Sequence, residues 1–343
     1  MSCFASNETA ELKFADDLEI TIHAKNVYFY WNTFFSFISM LLNALICVVI
    51  IRNPNPLIKI KPMLLANSIN NFLFAGSYFF FGRYFFIGYK YIIIVYMGFI
   101  KLENPTLMFL TNFTDFILSM ASWVMSVTQF VYRYFIVKNN KQPHPFYFIT
   151  FSLFLLGLHL LAAADINSNE RLDEHIHRSR EILQYYGFNV QSSRYVKMLN
   201  ESNKYCDMLY IVLIIFDFLL MMYCAIKIRR LLCRSTAMKS AATRLLNQSM
   251  NRTIIAMGIV PTILNIFLTL AFPLLINRCQ SNAVLSLLLL TCFLFASSLH
   301  ACVSIAFIRF YRDAFLTLIT FGLYKKPKHT KKVLPLNIGQ PRY

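Results

Sequence analysis

Seven long apolar stretches run along the chain, at roughly 27–51, 62–85, 105–137, 146–165, 206–228, 252–276 and 283–308. Each is near or above the ~20 residues that an α-helix needs to cross a bilayer. The third is longer than a bilayer is thick, so its ends are expected to tilt or to project into solvent. Its polar residues are regularly spaced. Asp115, Ser119, Ser122, Ser126, Gln129 and Arg133 follow one another at alternating intervals of four and three. That spacing keeps them on one helical face. Most of their neighbours are Phe, Leu, Ile, Val, Met, Ala and Trp, so the stripe must face other helices or a water-filled cavity. Asp115 precedes Arg133 by 18 residues. This is about five whole turns, or about 27 Å along the axis. If Arg133 marks one boundary of the ~30 Å hydrocarbon layer, Asp115 lies near the other.

Polar positions in the other stretches are fewer and also share faces. The first stretch carries Asn43, read as an interhelical hydrogen-bonding residue. In the second, Asn67, Asn70 and Asn71 lie at i, i+3 and i+4 and are expected to bond a neighbouring helix. The aromatic run Tyr78–Tyr96 suits a membrane interface, with its later half read as an outer loop dipping into the headgroups. The sixth stretch has Gly258, Thr262, Asn265 and Thr269 on one face, and Pro261 and Pro273 predict a kink. The seventh has Ser297, His300 and Ser304 on one face. Asp313–Leu323 is apolar with basic flanks and is expected to lie as an interfacial helix along the inner leaflet.

Composition argues against one large or two ordinary soluble domains. Of 343 residues, 57% are hydrophobic and only 14% charged. The formal charge of +17 acts as a topology signal. With the N-terminus outside, 21 of the 33 basic residues fall on the inner side, opposed by Asp313 alone. The acids Glu8, Glu11, Asp16, Asp17 and Glu19 then fall in the outer tail. A nucleic-acid partner has no folded soluble module behind it. Two glycosylation sequons, at Asn7 and Asn200, fall outside in this orientation. Residues 1–26 lack the apolar core of a signal peptide, so the first helix is expected to direct insertion. The domains read as an outer tail (1–26), a seven-helix bundle (27–323) and an inner tail (324–343). The eight cysteines show no metal spacing. Cys206 and Cys279 fall outside, where a disulfide persists, and the sequence leaves open whether they are bridged.

With its inner end at Tyr132-Arg133-Tyr134, the third stretch resembles that of the nematode serpentine chemoreceptors of the Str superfamily. These are seven-helix, G-protein-coupled-type receptors of sensory neurons. Tyr132-Arg133-Tyr134 is similar to the Asp-Arg-Tyr of rhodopsin-like receptors, with Tyr132 where those carry an acid. Pro261 matches a recurring proline of the family, and Tyr311-Arg312 is similar to its Tyr-Arg after helix seven. His300-Ala301 stands where many members show Asp-Pro, a departure from the family's pattern, so no role is carried over to that position from the family. The resemblance implies an all-α, multi-pass protein of the cell membrane, with the ciliary membrane of a sensory neuron as one candidate location. It also implies a small-molecule ligand and a heterotrimeric G protein as partners, beside membrane lipids.

Candidate ligand-binding residues are Asp115 with Asn112 and Ser119 at i−3 and i+4, together with Asn265, Thr269 and His300. The 18-residue spacing of Asp115 from Arg133 resembles that between the amine-binding aspartate and the arginine in amine receptors of the rhodopsin-like class, a resemblance of position that does not make the ligand an amine. Solvation by a vestibule or pairing within the bundle is the alternative role of Asp115. Candidate coupling residues are Tyr132, Arg133, Tyr134 and Pro261, with Arg229 and Arg230 in the basic linker between helices five and six. Arg133 is read as a switch, the alternative being an arginine anchored at the interface by snorkelling. No catalytic constellation, cofactor motif or metal motif is present, so no enzyme and no cofactor are expected. A ligand-gated chemosensory channel or a transporter is the alternative function. The charge bias opposes the inside N-terminus of insect-type channels, and there is no internal repeat of the kind common in transporters.

Overall fold

The structure is a computed structural model. It describes residues 7–52, 61–87, 91–102, 104–139, 143–162, 193–197, 204–236, 291, 295, 297–299, 301–306 and 309–320. In chain order the elements are α1 (Asn7–Arg52), α2 (Lys61–Phe81), β1 (Arg83–Ile87), β2 (Tyr91–Tyr96) and α3 (Pro105–Asn139). Then follow α4 (Pro145–Ala162), β3 (Ser193–Lys197), α5 (Lys204–Thr236) and α6 (Arg309–Ile319). Residues 297–299 and 301–306, from the seventh apolar stretch, are also helical. The sixth stretch lies outside the described residues.

Four of the described helices contain spans long and apolar enough to cross a membrane: Asn26–Arg52, Thr106–Asn139, Pro145–Ala162 and Met208–Leu231. α2 is 21 residues long and buries three asparagines, Asn67, Asn70 and Asn71. The helix ends follow local chemistry. At the start of α3, Asn104 Oδ1 accepts from the backbone N–H groups of Thr106 (2.9 Å) and Leu107 (3.4 Å). Pro105 takes the first helical position, where its missing N–H costs nothing. α4 begins in the same way, with Pro145 first and His144 Nδ1 accepting from the N–H of Phe146 at 3.3 Å. α1 starts earlier than the apolar pattern predicts, at Asn7 rather than near residue 27. Residues 7–26 contain neither Gly nor Pro and are rich in Ala, Glu, Leu and Lys, so nothing local stops the helix.

A second difference lies in the aromatic stretch after α2. The expected headgroup-dipping loop is instead a hairpin of β1 and β2, and β3, from the loop before α5, completes an antiparallel sheet ordered β1-β2-β3. Arg83 pairs with Tyr96 at one end of the first ladder, and Ile93 pairs with Tyr195 in the second. The run Tyr91–Tyr96 is β-branched and aromatic, which favours a strand, and it is too short to cross a bilayer. Gly82 turns the chain from α2 into β1 with φ +42°, a conformation that glycine adopts without a steric penalty. The returning chain is bound to the end of α2 by Met97 N–H to Gly82 O (2.7 Å), Gly98 N–H to Phe81 O (2.8 Å) and Ile100 N–H to Phe80 O (2.9 Å).

α3 is the hub, packing on α2, α4 and α5, while α1 packs chiefly on α2. One core cluster joins Ile46, Val49 and Ile50 of α1 to Leu64, Tyr132, Phe148, Ala301 and Val303. Ala314, Phe315 and Leu318 of α6 pack against it, so the predicted helix after the seventh stretch exists, starting four residues early at Arg309. A second cluster joins Trp123, Val124, Val127 and Phe130 of α3 to Leu155 of α4 and to Met221, Cys224 and Ile228 of α5. The distribution of polarity is inverted relative to a water-soluble bundle. Asn43, Asn67, Ser68, Asp115, Thr128, His159 and Asp217 are buried, while Phe34, Phe37, Leu153, Phe154, Phe216 and Leu219 are exposed. Hydrocarbon on the outside rewards this arrangement and water would penalise it.

Candidate ligand and coupling sites

The polar stripe of α3 meets the asparagine face of α2, as the periodicity of both helices requires. Asn70 Nδ2 donates to Leu118 O at 2.9 Å, and Ser122 Oγ donates to Asn71 Oδ1 at 3.0 Å. Ser126 Oγ donates back to Ser122 O within its own helix, at 3.0 Å. Asn43 of α1 bridges in the same manner, donating to Ser297 O (3.3 Å) and to Ser39 O (2.8 Å). The hydroxyls of Ser39 and Ser297 lie 2.7 Å apart. These bonds satisfy side chains that would otherwise face hydrocarbon unpaired.

Asp115 forms an ion pair with Arg83, the first residue of β1, and both are only 2% exposed. The arginine is held on several sides. Its Nη2 donates to Ser77 Oγ at 3.0 Å, and its guanidinium carbon lies 4.9 Å from the centre of the Tyr78 ring and 5.9 Å from that of Tyr96. Tyr96 in turn donates its hydroxyl to Met108 O at 2.9 Å, tying β2 to the first turns of α3. Ile94, Leu102 and Met108 complete an apolar seal around that contact. This end of α3 is therefore clamped to the hairpin by one ion pair and one tyrosine bond. Asn112 and Ser119 are half-buried on the same helix, flanking Asp115. The remaining candidate ligand residues, Asn265, Thr269 and His300, lie outside the described residues, as does the sequon at Asn200. Asn7, the other sequon, is the first residue of α1.

At the other end of α3, Tyr132 and Arg133 are buried, at 4% and 5% exposure, and Tyr134 is half-buried. Arg133 is enclosed by the bundle. The Tyr132 ring stands edge-on to Phe148 at 4.6 Å, in the core cluster that also receives α6. Tyr134 points toward α5, its ring 6.3 Å from Tyr223, and Lys138 Nζ lies 5.7 Å from its face. Arg229 and Arg230 are exposed near the end of α5. Pro261 lies outside the described residues.

Sequence reasoning missed two structural partners. Arg83 lies close to the end of the second apolar stretch, and its pairing with Asp115 was not anticipated. His159 was not singled out, although it is fully buried on α4, and its Nε2 lies 3.1 Å from Asp217 Oδ2 on α5. The available signal was general: an ionisable side chain inside an apolar run needs a partner, and His159 and Asp217 each occupy such a run.

A bundle of membrane-length helices with polar groups inside and apolar groups outside defines a multi-pass membrane protein. The model of the serpentine type 7TM GPCR chemoreceptor Str family matches residues 28–316, and the chain belongs to that family of non-enzymatic, seven-span receptors. No curated protein matches the chain.

Proposed function

We propose that this receptor binds a small external molecule at the end of the bundle carrying Asp115 and activates a heterotrimeric G protein at the end carrying Arg133. The supporting observation is that a single continuous helix, α3, carries the buried Arg83–Asp115 pair near one end and the buried Arg133 near the other. A ligand that changes the packing of the hairpin against α3 acts on the same rigid element that holds the coupling arginine. The charge bias supports an outside N-terminus, and in that orientation the hairpin lies outside and Arg229 and Arg230 inside.

The candidate ligand contacts are Asn112, Asp115 and Ser119, with Asn265, Thr269 and His300 from later in the chain. Because Arg83 already neutralises Asp115, the favoured ligand carries no net charge. A cationic ligand would have to displace a buried arginine, and an anionic one a buried aspartate. Activation is a population shift toward a state in which the inner ends of the helices are rearranged around Tyr132, Arg133 and Tyr134, with Pro261 as the candidate hinge.

The test is expression in reporter cells against a panel of volatile and water-soluble odorants and pheromones. Neutral compounds should supply the agonists. Arg133→Ala should reach the surface and fail to signal. A variant that signals like wild type would remove Arg133 from the coupling machinery.

A further inference from the structure

A second buried polar cluster lies where α3, α4 and α5 meet. Asp217 of α5 and His159 of α4 are both 0% exposed. Trp123 Nε1 of α3 donates to Asp217 Oδ2 at 2.7 Å. His159 Nε2 lies 3.1 Å from the same oxygen. The other ring nitrogen, Nδ1, lies 2.9 Å from Leu155 O. Asp217 Oδ1 meets no partner among the described residues. The packing here is apolar, with Val124, Val127, Leu155 and Met221 in the cluster that includes Trp123.

Counting protons shows what this geometry requires. A backbone carbonyl can only accept, so Nδ1 of His159 must carry a hydrogen. A neutral ring then turns a bare Nε2 lone pair toward a carboxylate oxygen. The contact is close without being aligned as a hydrogen bond, and at 3.1 Å the two lone pairs repel. The carboxylate would also sit among apolar side chains, bonded on the described side only to one indole N–H. One additional proton removes both penalties. On Nε2 it makes an imidazolium–carboxylate pair, and on Asp217 it makes a neutral acid facing a neutral ring. In each case the cluster has no net charge, and its interior position makes the alternative, a lone buried carboxylate, far more costly.

We infer that His159 and Asp217 form a proton-binding site inside the membrane-spanning bundle, and that its bound proton holds α4 and α5 together against Trp123 of α3. The groups facing the pair are few. From α5, Tyr210 presents its ring edge-on to His159 at 6.4 Å, while its hydroxyl is directed to Met120 Sδ at 3.8 Å. From α3 the facing group is Trp123, which does not titrate, and the aspartate of that helix is engaged elsewhere by Arg83. Proton loss therefore changes the net charge of the cluster from zero to minus one with no nearby described cation to offset it. Any rearrangement that separates α4 from α5 is coupled to the proton. Because Trp123 sits on the helix that carries both Asp115 and Arg133, the site is placed to bias that helix.

The test uses the full-length receptor purified in detergent, with its unfolding midpoint measured from about pH 5 to about pH 8. The folded cluster holds a proton whose loss exposes a buried charge, so its contribution to stability is present at low pH and is lost as pH rises. Wild type should lose several degrees across this range. Asp217→Asn keeps an acceptor for Trp123 and leaves no charge behind, so its midpoint should depend less steeply on pH. Identical slopes in the two proteins overturn the proposal. If Asp217→Asn does not fold, the proton is sought in the wild type. A buried carboxylic-acid stretch in the infrared, or a doubly protonated imidazole by nitrogen NMR at a pH where free histidine is neutral, supports the site. Absence of both signatures overturns it.

Discussion

Replacing Arg83 with Met tests the ion pair at the hairpin end of α3. Methionine retains the length and apolar bulk of the stem and removes the charge. Asp115 is 2% exposed, so the variant leaves a carboxylate buried without its cation. Breaking one half of such a pair costs about 3–5 kcal/mol, or about two to four powers of ten in the folded-to-unfolded ratio. The reciprocal change, Asp115→Asn, should cost less. Arg83 would keep its bond to Ser77 Oγ at 3.0 Å and its contacts with the rings of Tyr78 and Tyr96. A desolvated cation over an aromatic face recovers up to about 2 kcal/mol, and the amide oxygen of Asn can still accept from the guanidinium. In the double variant Arg83→Met with Asp115→Asn no charge is stranded, so it should be more stable than Arg83→Met alone. The assay is a double-mutant cycle on unfolding of the purified receptor in detergent, with surface expression as a parallel readout. Additive costs, or a greater penalty for Asp115→Asn than for Arg83→Met, would refute the reasoning.

Gly98→Ala should destabilise the same end by about 1–3 kcal/mol or more, read as lost surface expression, because a Cβ there would collide with backbone atoms of Phe80, Phe81 and Gly82. Gly157→Ala, where a Cβ meets nothing within 4 Å, should raise the unfolding midpoint through a helix-propensity gain of about 0.5–1 kcal/mol. An epitope placed after Tyr343 should stain only permeabilised cells; staining of intact cells would reverse the proposed orientation. With an agonist in hand, Asp115→Asn at equal surface expression should shift potency less than tenfold, because the ligand is proposed to be neutral, and a larger shift would indicate a ligand that engages the carboxylate charge.

The helical class was legible in the sequence because hydrocarbon imposes a local rule. Every spanning segment must satisfy its own backbone and present apolar side chains outward, so apolar length and a 3.6-residue period are written into each segment separately. That rule anticipated the polar stripe of α3, the asparagine face of α2 and the interhelical role of Asn43. It also left room for errors where local preferences compete. The end of the second apolar stretch reads equally as helix or interface, and it becomes strand β1 only because Ile92–Val95 of β2 lie beside it and bond to it. The partners of buried charges depended wholly on tertiary structure. Arg83 meets Asp115 at a separation of 32 positions in the chain, and His159 meets Asp217 at a separation of 58. Periodicity states which face of a helix is polar, but not which neighbouring helix that face meets or how far one helix is displaced along another. Those choices come from packing the whole bundle at once, and here they determine which ionisable groups are paired in an environment where an unpaired charge is prohibitively costly.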